Sequence, residues 1–373
     1  MNKLSVVILT ISAYSVAGYA QTSVTLYGTL DEFITYQRSS SGKSLTALGD
    51  GALYRSRFGM QGTEDLGSGY QVRFDLESGI SAPTGASADS SRLFDRQAWV
   101  GLNTPVGEFR FGRQNTAIFY AGPVIDYTGR ATMGSIVNNF GGVLARFDND
   151  ISYKSPRVYH FQIEAHYAMP GIAGDGLASG AVYQLRVDYS RNAITFGYVG
   201  LVANPLPSGI YQNKIQYHNL YADYNYGPGK IYLAYVHSNN ITGNSSGNDA
   251  AGILSPVSIP NNFFPGTNVD VRRFYDIYQV SMDYRVQPDF TVGGLAGVMR
   301  DGSDAGNNVY GGSLGGVYSL SKTTSVYGYA VYMKNQGDAG FRFSGSGAPP
   351  NLSGSDINGR GLIGLQLGMY HLF

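Results

Sequence analysis

Gly361-Leu-Ile-Gly-Leu-Gln-Leu-Gly-Met-Tyr-His-Leu-Phe373 is the stretch on which the fold turns. Ile363, Leu365, Leu367, Met369, His371 and Phe373 share one parity, and Gly364, Gln366, Gly368 and Tyr370 the other. A period of two with bulky residues on one side and small or polar ones on the other describes an extended strand. Such a strand suits a wall between lipid and water, apolar outward and polar inward. It equally suits the edge of a soluble β-sandwich, and these thirteen residues alone leave both readings open.

The same alternation recurs upstream. Tyr70, Val72, Phe74 and Leu76 oppose Gln71, Arg73, Asp75 and Glu77, and Phe58 and Met60 oppose Arg55, Arg57 and Gln61. Similar runs occupy Val24–Gln37, Tyr54–Gln61, Phe94–Asn103, Phe109–Gln114, Asp150–Ser155, Val158–Met169, Ala181–Ser190 and Asn192–Val202. They continue at Lys214–Tyr226, Lys230–Ser238, Arg273–Gln287, Asp289–Arg300, Asn307–Leu320 and Lys322–Met333, which makes sixteen with Tyr70–Glu77 and the terminal run. The connections alternate between short, as at Glu64–Gly69, Thr104–Val106 and Gly227–Gly229, and long, as at 39–50, 82–90, 115–149, 239–272 and 334–360. Short turns on one side and long loops on the other belong to an outer-membrane barrel. The expected fold is all-β: a sixteen-stranded antiparallel transmembrane β-barrel with short periplasmic turns and long outer loops.

Composition agrees. The 373 residues include 51 Gly, 30 Tyr and 18 Phe, and only 14% are charged, against about a quarter in a typical soluble domain. Tyrosine concentrates at lipid–water interfaces, and only alternate strand residues must be apolar. Residues 1–20 read as a secretory leader, with Lys3, the apolar run Leu4–Ile11 and the small-x-small site Gly18-Tyr-Ala20. The barrel domain is then 21–373. Without Lys3, 25 basic residues face 26 acidic ones, a balance that gives no reason to expect nucleic acid. An exported chain without cysteine fits a bacterial envelope.

One loop stands apart. Asn115–Asn149 is too apolar for a free surface loop, with Phe119, Tyr120 and Tyr127 among its residues and Asp126 and Arg130 as its ionisable ones before Arg146. A loop of that length packs against something, and in a wide barrel the lumen offers the wall. Arg55, Arg57, Arg73, Arg96 and Arg146 are read as inward, where charge biases the ions that pass. For Arg73 a plain pairing with Asp75 is the favoured reading. Placing Arg96 inward sends Trp99 outward to an interfacial aromatic belt. Glu32 falls on the outward parity of the first strand and Phe33 on the inward one; a bulge or a position above the lipid would remove the conflict.

The chain resembles the general-diffusion porins of Gram-negative bacteria, especially the betaproteobacterial and neisserial branch. The resemblance is carried by Ser23–Gly28, Ser56–Gly69, Val100–Leu102, Gly107–Gln114, Ile151–Pro156 and His371–Phe373. It implies a homotrimer whose third outer loop folds into the lumen. It matches Arg57, Arg96 and Arg146 to the basic wall cluster facing that loop and leaves Arg73 outside it. It further implies membrane lipid and lipopolysaccharide as surroundings, and Phe373 with His371 as a signal to the barrel-assembly machinery. Arginines on the wall against Asp126 in the loop are expected to set a field across the pore; Asp126 is the one clear acid there, which tilts the expected preference toward anions.

No catalytic residues are assigned: the five histidines, His160, His166, His218, His237 and His371, come with no marked nucleophile and acid. Nothing has metal-ligand spacing, and no cofactor is expected. The expected function is passive passage of ions and small hydrophilic solutes. A substrate-specific channel with Phe119, Tyr120 and Tyr127 as a stacking track is the alternative within transport. An adhesin or receptor using loops 239–272 and 334–360 is the alternative outside it.

Overall fold

A computed structural model describes residues 22–129, 135, 145–170, 178–204, 214–239, 274–302, 306–343 and 350–373. The expected leader, Arg130 and nearly all of loop 239–272 lie outside the described residues. The strands are β1 (Thr22–Ser39), β2 (Ser44–Asp50), β3 (Arg57–Gly67), β4 (Tyr70–Ser81), β5 (Ala86–Ser87), β6 (Gln97–Thr104), β7 (Gly107–Asn115), β8 (Arg146–Lys154) and β9 (Phe161–Ala168). They continue as β10 (Val182–Arg191), β11 (Ile194–Ala203), β12 (Ile215–Asn225), β13 (Lys230–Ser238), β14 (Tyr275–Gln287), β15 (Phe290–Asp301), β16 (Val309–Ser319), β17 (Thr324–Asn335) and β18 (Gly361–Leu372).

Every named pairing is antiparallel, and the sheet closes on itself through β1 and β18, in register from Thr29 opposite Leu372 to Ser39 opposite Leu362. Gly28 and Phe373 extend the seam with reciprocal backbone hydrogen bonds of 2.9 and 3.1 Å. Closure removes the unpaired edge that lipid does not tolerate. Counted with β2 and β3 as one interrupted stave, and with the two-residue β5 set aside, the wall has sixteen staves. Ile363, Leu365, Leu367 and Met369 are exposed on the outside of β18, while Gln366 is buried within.

The start of the barrel departs from expectation. Residues 39–50 are not a long loop, because Ser44–Asp50 pairs with Glu32–Arg38 of β1 around a tight turn with Gly42 at φ +96°. The second stave is then broken over 51–56 and resumes at Arg57, opposite Thr29. The turn expected at Glu64–Gly69 is shorter too, since β3 runs to Gly67. The conflict at Glu32 is not removed by a bulge in β1. The β1 ladder keeps its register there; Phe33 is buried inside, and Glu32 lines an outward hollow with Ile34, Leu48, Leu367 and Met369.

The buried apolar groups gather where loops enter the barrel. Part of loop 334–360 folds down onto the outer ends of β16–β18, burying Phe341, Phe343 and Ile357 in one cluster with Val309, Met333 and Leu362. Asn335 pins it: its Nδ2 donates to the carbonyls of Phe341 (2.8 Å) and Ile357 (3.0 Å), and its Oδ1 accepts from the Phe341 N–H (3.2 Å).

Candidate functional site

The third outer connection leaves β7 and turns inward at once. Thr116 caps a one-turn helix, α1 (Ala117–Tyr120), its Oγ1 accepting from the Phe119 N–H at 3.1 Å. Such a cap satisfies a backbone donor that a helix start leaves free. A 3₁₀ turn over Gly122–Val124 follows. Ala117, Ile118, Ala121 and Ile125 are buried, and the Ala117 N–H donates to Gln184 Oε1 of β10 at 3.1 Å. Farther along, the Tyr127 N–H donates to Ser281 Oγ of β14 (3.2 Å), and its hydroxyl bonds Ser313 Oγ of β16 (3.0 Å). The Tyr127 ring lies where a side chain on Gly293 would be, 2.2 Å from an added Cβ. The loop therefore runs inside the barrel from β7 to the wall of β14–β16.

The opposite wall is built around the broken stave. Asp31 of β1 accepts from the N–H groups of Leu53 (2.8 Å) and Tyr54 (2.7 Å), which fixes the break. Beyond it, Arg55 pairs with Asp50 (3.3 Å) and Arg57 with Glu77 (2.8 Å). Arg96 takes the other oxygen of Glu77 at 2.6 Å, so a single carboxylate bridges two guanidiniums. Arg113 pairs with Asp148 at 2.6 Å, and Arg92 pairs with the same carboxylate at 2.8 Å. Arg146 lies within electrostatic reach of Arg96, Glu77 and Arg113. It is only 7% exposed, and its Nε and Nη2 have no hydrogen-bond acceptor among the described residues. Its Cζ sits 5.5 Å from the centre of the Phe119 ring, a contact that offsets part of the cost of burying a cation.

Several expected placements change. Asp126 does not face the arginines. It is 1% exposed and accepts from the Thr128 N–H (2.8 Å), Thr128 Oγ1 (2.7 Å) and Ser135 Oγ (2.6 Å), so its charge holds its own loop together. Trp99 is not in an outer belt; Val100 and Leu102 face outward, and Trp99 is buried inside beneath Arg110, whose Cζ lies 4.4 Å from the indole centre. Arg96 reaches the lumen because it precedes β6, in the bend at 93–96, where strand parity does not apply. Arg73 bonds Glu108 at 3.1 Å rather than Asp75. Tyr120 accepts from Arg110 at 3.0 Å, and burial is the main cause raising its phenol above the ordinary value. Burial does the same for Tyr127, so both stay neutral. Phe119 is exposed.

Residues missed by sequence reasoning include Glu77 as a bridging acid and Arg113. Strict parity puts Arg113 outside, opposite to Gly112; the register shift at Gly112–Gln114 turns it in. Gly112 at φ +128° permits that bulge. At the seam, His371 Nδ1 lies 2.8 Å from Thr324 Oγ1, and the exposed Phe373 ring covers Gly28.

The chain is 31% identical to an outer membrane porin protein of Bordetella pertussis, over 90% of this chain and 95% of that one. It is 27% identical to outer membrane porin protein 32 of Delftia acidovorans over the full length of both. Its fold is similar to that of the anion-selective porin from Comamonas acidovorans, with a TM-score of 0.74, 22% identity and 95% of this chain and 100% of that one covered. The Gram-negative porin family matches residues 5–338, and on that span and these relatives the chain belongs to the Gram-negative outer-membrane porins.

Proposed function

We propose that this porin passes ions and small hydrophilic solutes by passive diffusion through a lumen narrowed by its third loop, and that it favours anions there. The observation that carries the preference is Arg146. It is a buried guanidinium whose Nε and Nη2 have no hydrogen-bond partner among the described residues, within electrostatic reach of Arg96, which shares one carboxylate with Arg57. Charge lining a pore biases which ion enters, and the acid of the facing loop is consumed by its own turn. That a relative in fold is called anion-selective agrees with this. The protein acts as a channel and not as an enzyme, and takes no cofactor. Residues 1–20 serve as a leader, and 21–373 form the barrel.

The working unit is a homotrimer, as one solved relative in fold is described as a trimer form. Glu32 supports this: a carboxylate among outward apolar side chains is costly against acyl chains and is better covered by protein. Lipopolysaccharide and other membrane lipid surround the trimer, and Phe373 with His371 serves the barrel-assembly machinery. The test is planar-bilayer recording of the purified oligomer with liposome-swelling assays. Linear, unsaturated conductance and size-limited entry of neutral sugars are expected. Saturation by one solute class would replace the diffusion reading with a specific channel, and silence would remove both.

A further inference from the structure

Among the described residues, two apolar hollows on the outer surface of the barrel differ in charge. The one on β15–β18 and β1 contains Glu32. The other, a groove of about 870 Å³, spans β12–β17 toward the end with the long loops. Its floor is made by small residues: register places Val280, Ala296, Gly312 and Tyr332 side by side across β14–β17, so the row dips at Ala296 and Gly312. Its sides are aromatic. Tyr278 packs 5.2 Å from Tyr235, and Tyr310 lies 6.5 Å from Tyr332.

Above this groove the register brings cations. Lys334 is opposite Tyr310, in the row nearest the groove. One row farther out, Arg300 is opposite Asp276, which is opposite His237. Arg300 shares the outward parity of Ala296 and Val298 and is exposed. Asp276 is engaged sideways, accepting from Tyr235 Oη at 2.7 Å and lying 2.8 Å from His237 Nδ1. Lys334 Nζ donates to the Gly359 carbonyl at 2.8 Å, which holds the ammonium at the top of the groove. A trough fit for an acyl chain, tyrosines along its sides and two cations just above have one complement: a chain-bearing lipid with a negative headgroup.

We propose that the outer half of β12–β17 is a binding site for an acylated, phosphorylated lipid of the outer leaflet, its chain between Tyr278 and Tyr310 and its phosphate on Arg300 and Lys334. The assignment rests on the outer-membrane reading above and names the lipid-binding face. Native mass spectrometry of the detergent-purified oligomer, titrated with phosphatidylglycerol or phosphatidylcholine, tests it. Retention of phosphatidylglycerol should exceed that of phosphatidylcholine by about fivefold per engaged cation. Arg300→Gln should remove about fivefold of that preference. Ala296→Leu, which fills the trough, should lower retention of both lipids. Neither variant should alter single-channel conductance. Equal retention of the two lipids by the wild-type protein, or full retention by Ala296→Leu, would overturn the site while leaving the porin reading intact. A wild-type oligomer that conducts no ions would overturn the porin reading instead.

Discussion

The two sides of the lumen solve different problems. On the side of β3, β4 and β6–β8, charge is held in excess of convenient pairing: Glu77 serves both Arg57 and Arg96, Asp148 serves both Arg92 and Arg113, and the Nε and Nη2 of Arg146 have no acceptor among the described residues. On the side of β14–β16, the loop is fastened mainly by neutral contacts, Tyr127 on Ser281, Ser313 and the bare backbone of Gly293, while Asp126 bonds its own loop and accepts a longer bond from Gln279 of β14. In the function proposed above, the charged wall sets which ions pass and the loop anchor opposite it sets how wide the passage is. The sequence suggested a two-sided field, arginines against Asp126. With Asp126 bonded within its own loop, the proposed selectivity rests on one wall.

Breaking the charged wall should give the largest effect. A charge about 6 Å from a permeating ion in water is worth about 0.7 kcal/mol, or about threefold in permeability ratio. Arg57→Gln, Arg96→Gln and Arg146→Gln together should therefore lower the anion-to-cation permeability ratio by roughly tenfold or more. Salt-gradient reversal potentials measure this, and the effect should shrink at high salt. Glu77→Gln, next in size, removes the shared acid and should raise the ratio by about threefold, with some loss of heat stability from repulsion between the two freed guanidiniums.

The neutral anchor should respond in conductance and hardly in selectivity. Gly293→Val puts a side chain where the Tyr127 ring rests and also 2.8 Å from the Met282 carbonyl. It should detach that end of the loop, raising single-channel conductance and the size limit in swelling assays. Asp126→Asn should loosen the turn by about 1–3 kcal/mol through weaker hydrogen bonds, seen as added current noise. If Asp126→Asn moved the reversal potential as much as an arginine change, the division between the walls would fail. The smallest effect is expected from Arg73→Gln, since Arg73 is tied to Glu108 away from the shared-acid cluster.

The barrel was legible because its physics is local. Parity in Tyr70–Glu77 and Gly361–Phe373 follows from a two-residue period, and β18 does meet β1 as a closed wall requires. What was hidden depended on backbone irregularity or on partners far along the chain. Ser44–Asp50 reads as loop from its polar, glycine-bearing neighbourhood, yet β1 is long enough to pair with it. The bulge at Gly112 reverses parity and brings Arg113 inside. Around Trp99 apolar residues occupy both parities, so the choice that sent it outward had no firm footing; Arg110 stacked on the indole shows the opposite side. The role of Asp126 depends on Ser135 and on the loop's own turn, which no spacing discloses. The inward fold of the loop was readable from its apolar content, and its anchoring on Gly293 was not.

The most direct test of the one-walled account is the zero-current potential of the purified oligomer across a potassium chloride gradient, compared with that of Arg146→Gln. A potential of anion-selective sign is expected for the native channel and a clear shift toward zero in the variant, with conductance little changed. A cation-selective sign in the native channel, or an identical potential in the two proteins, would contradict it.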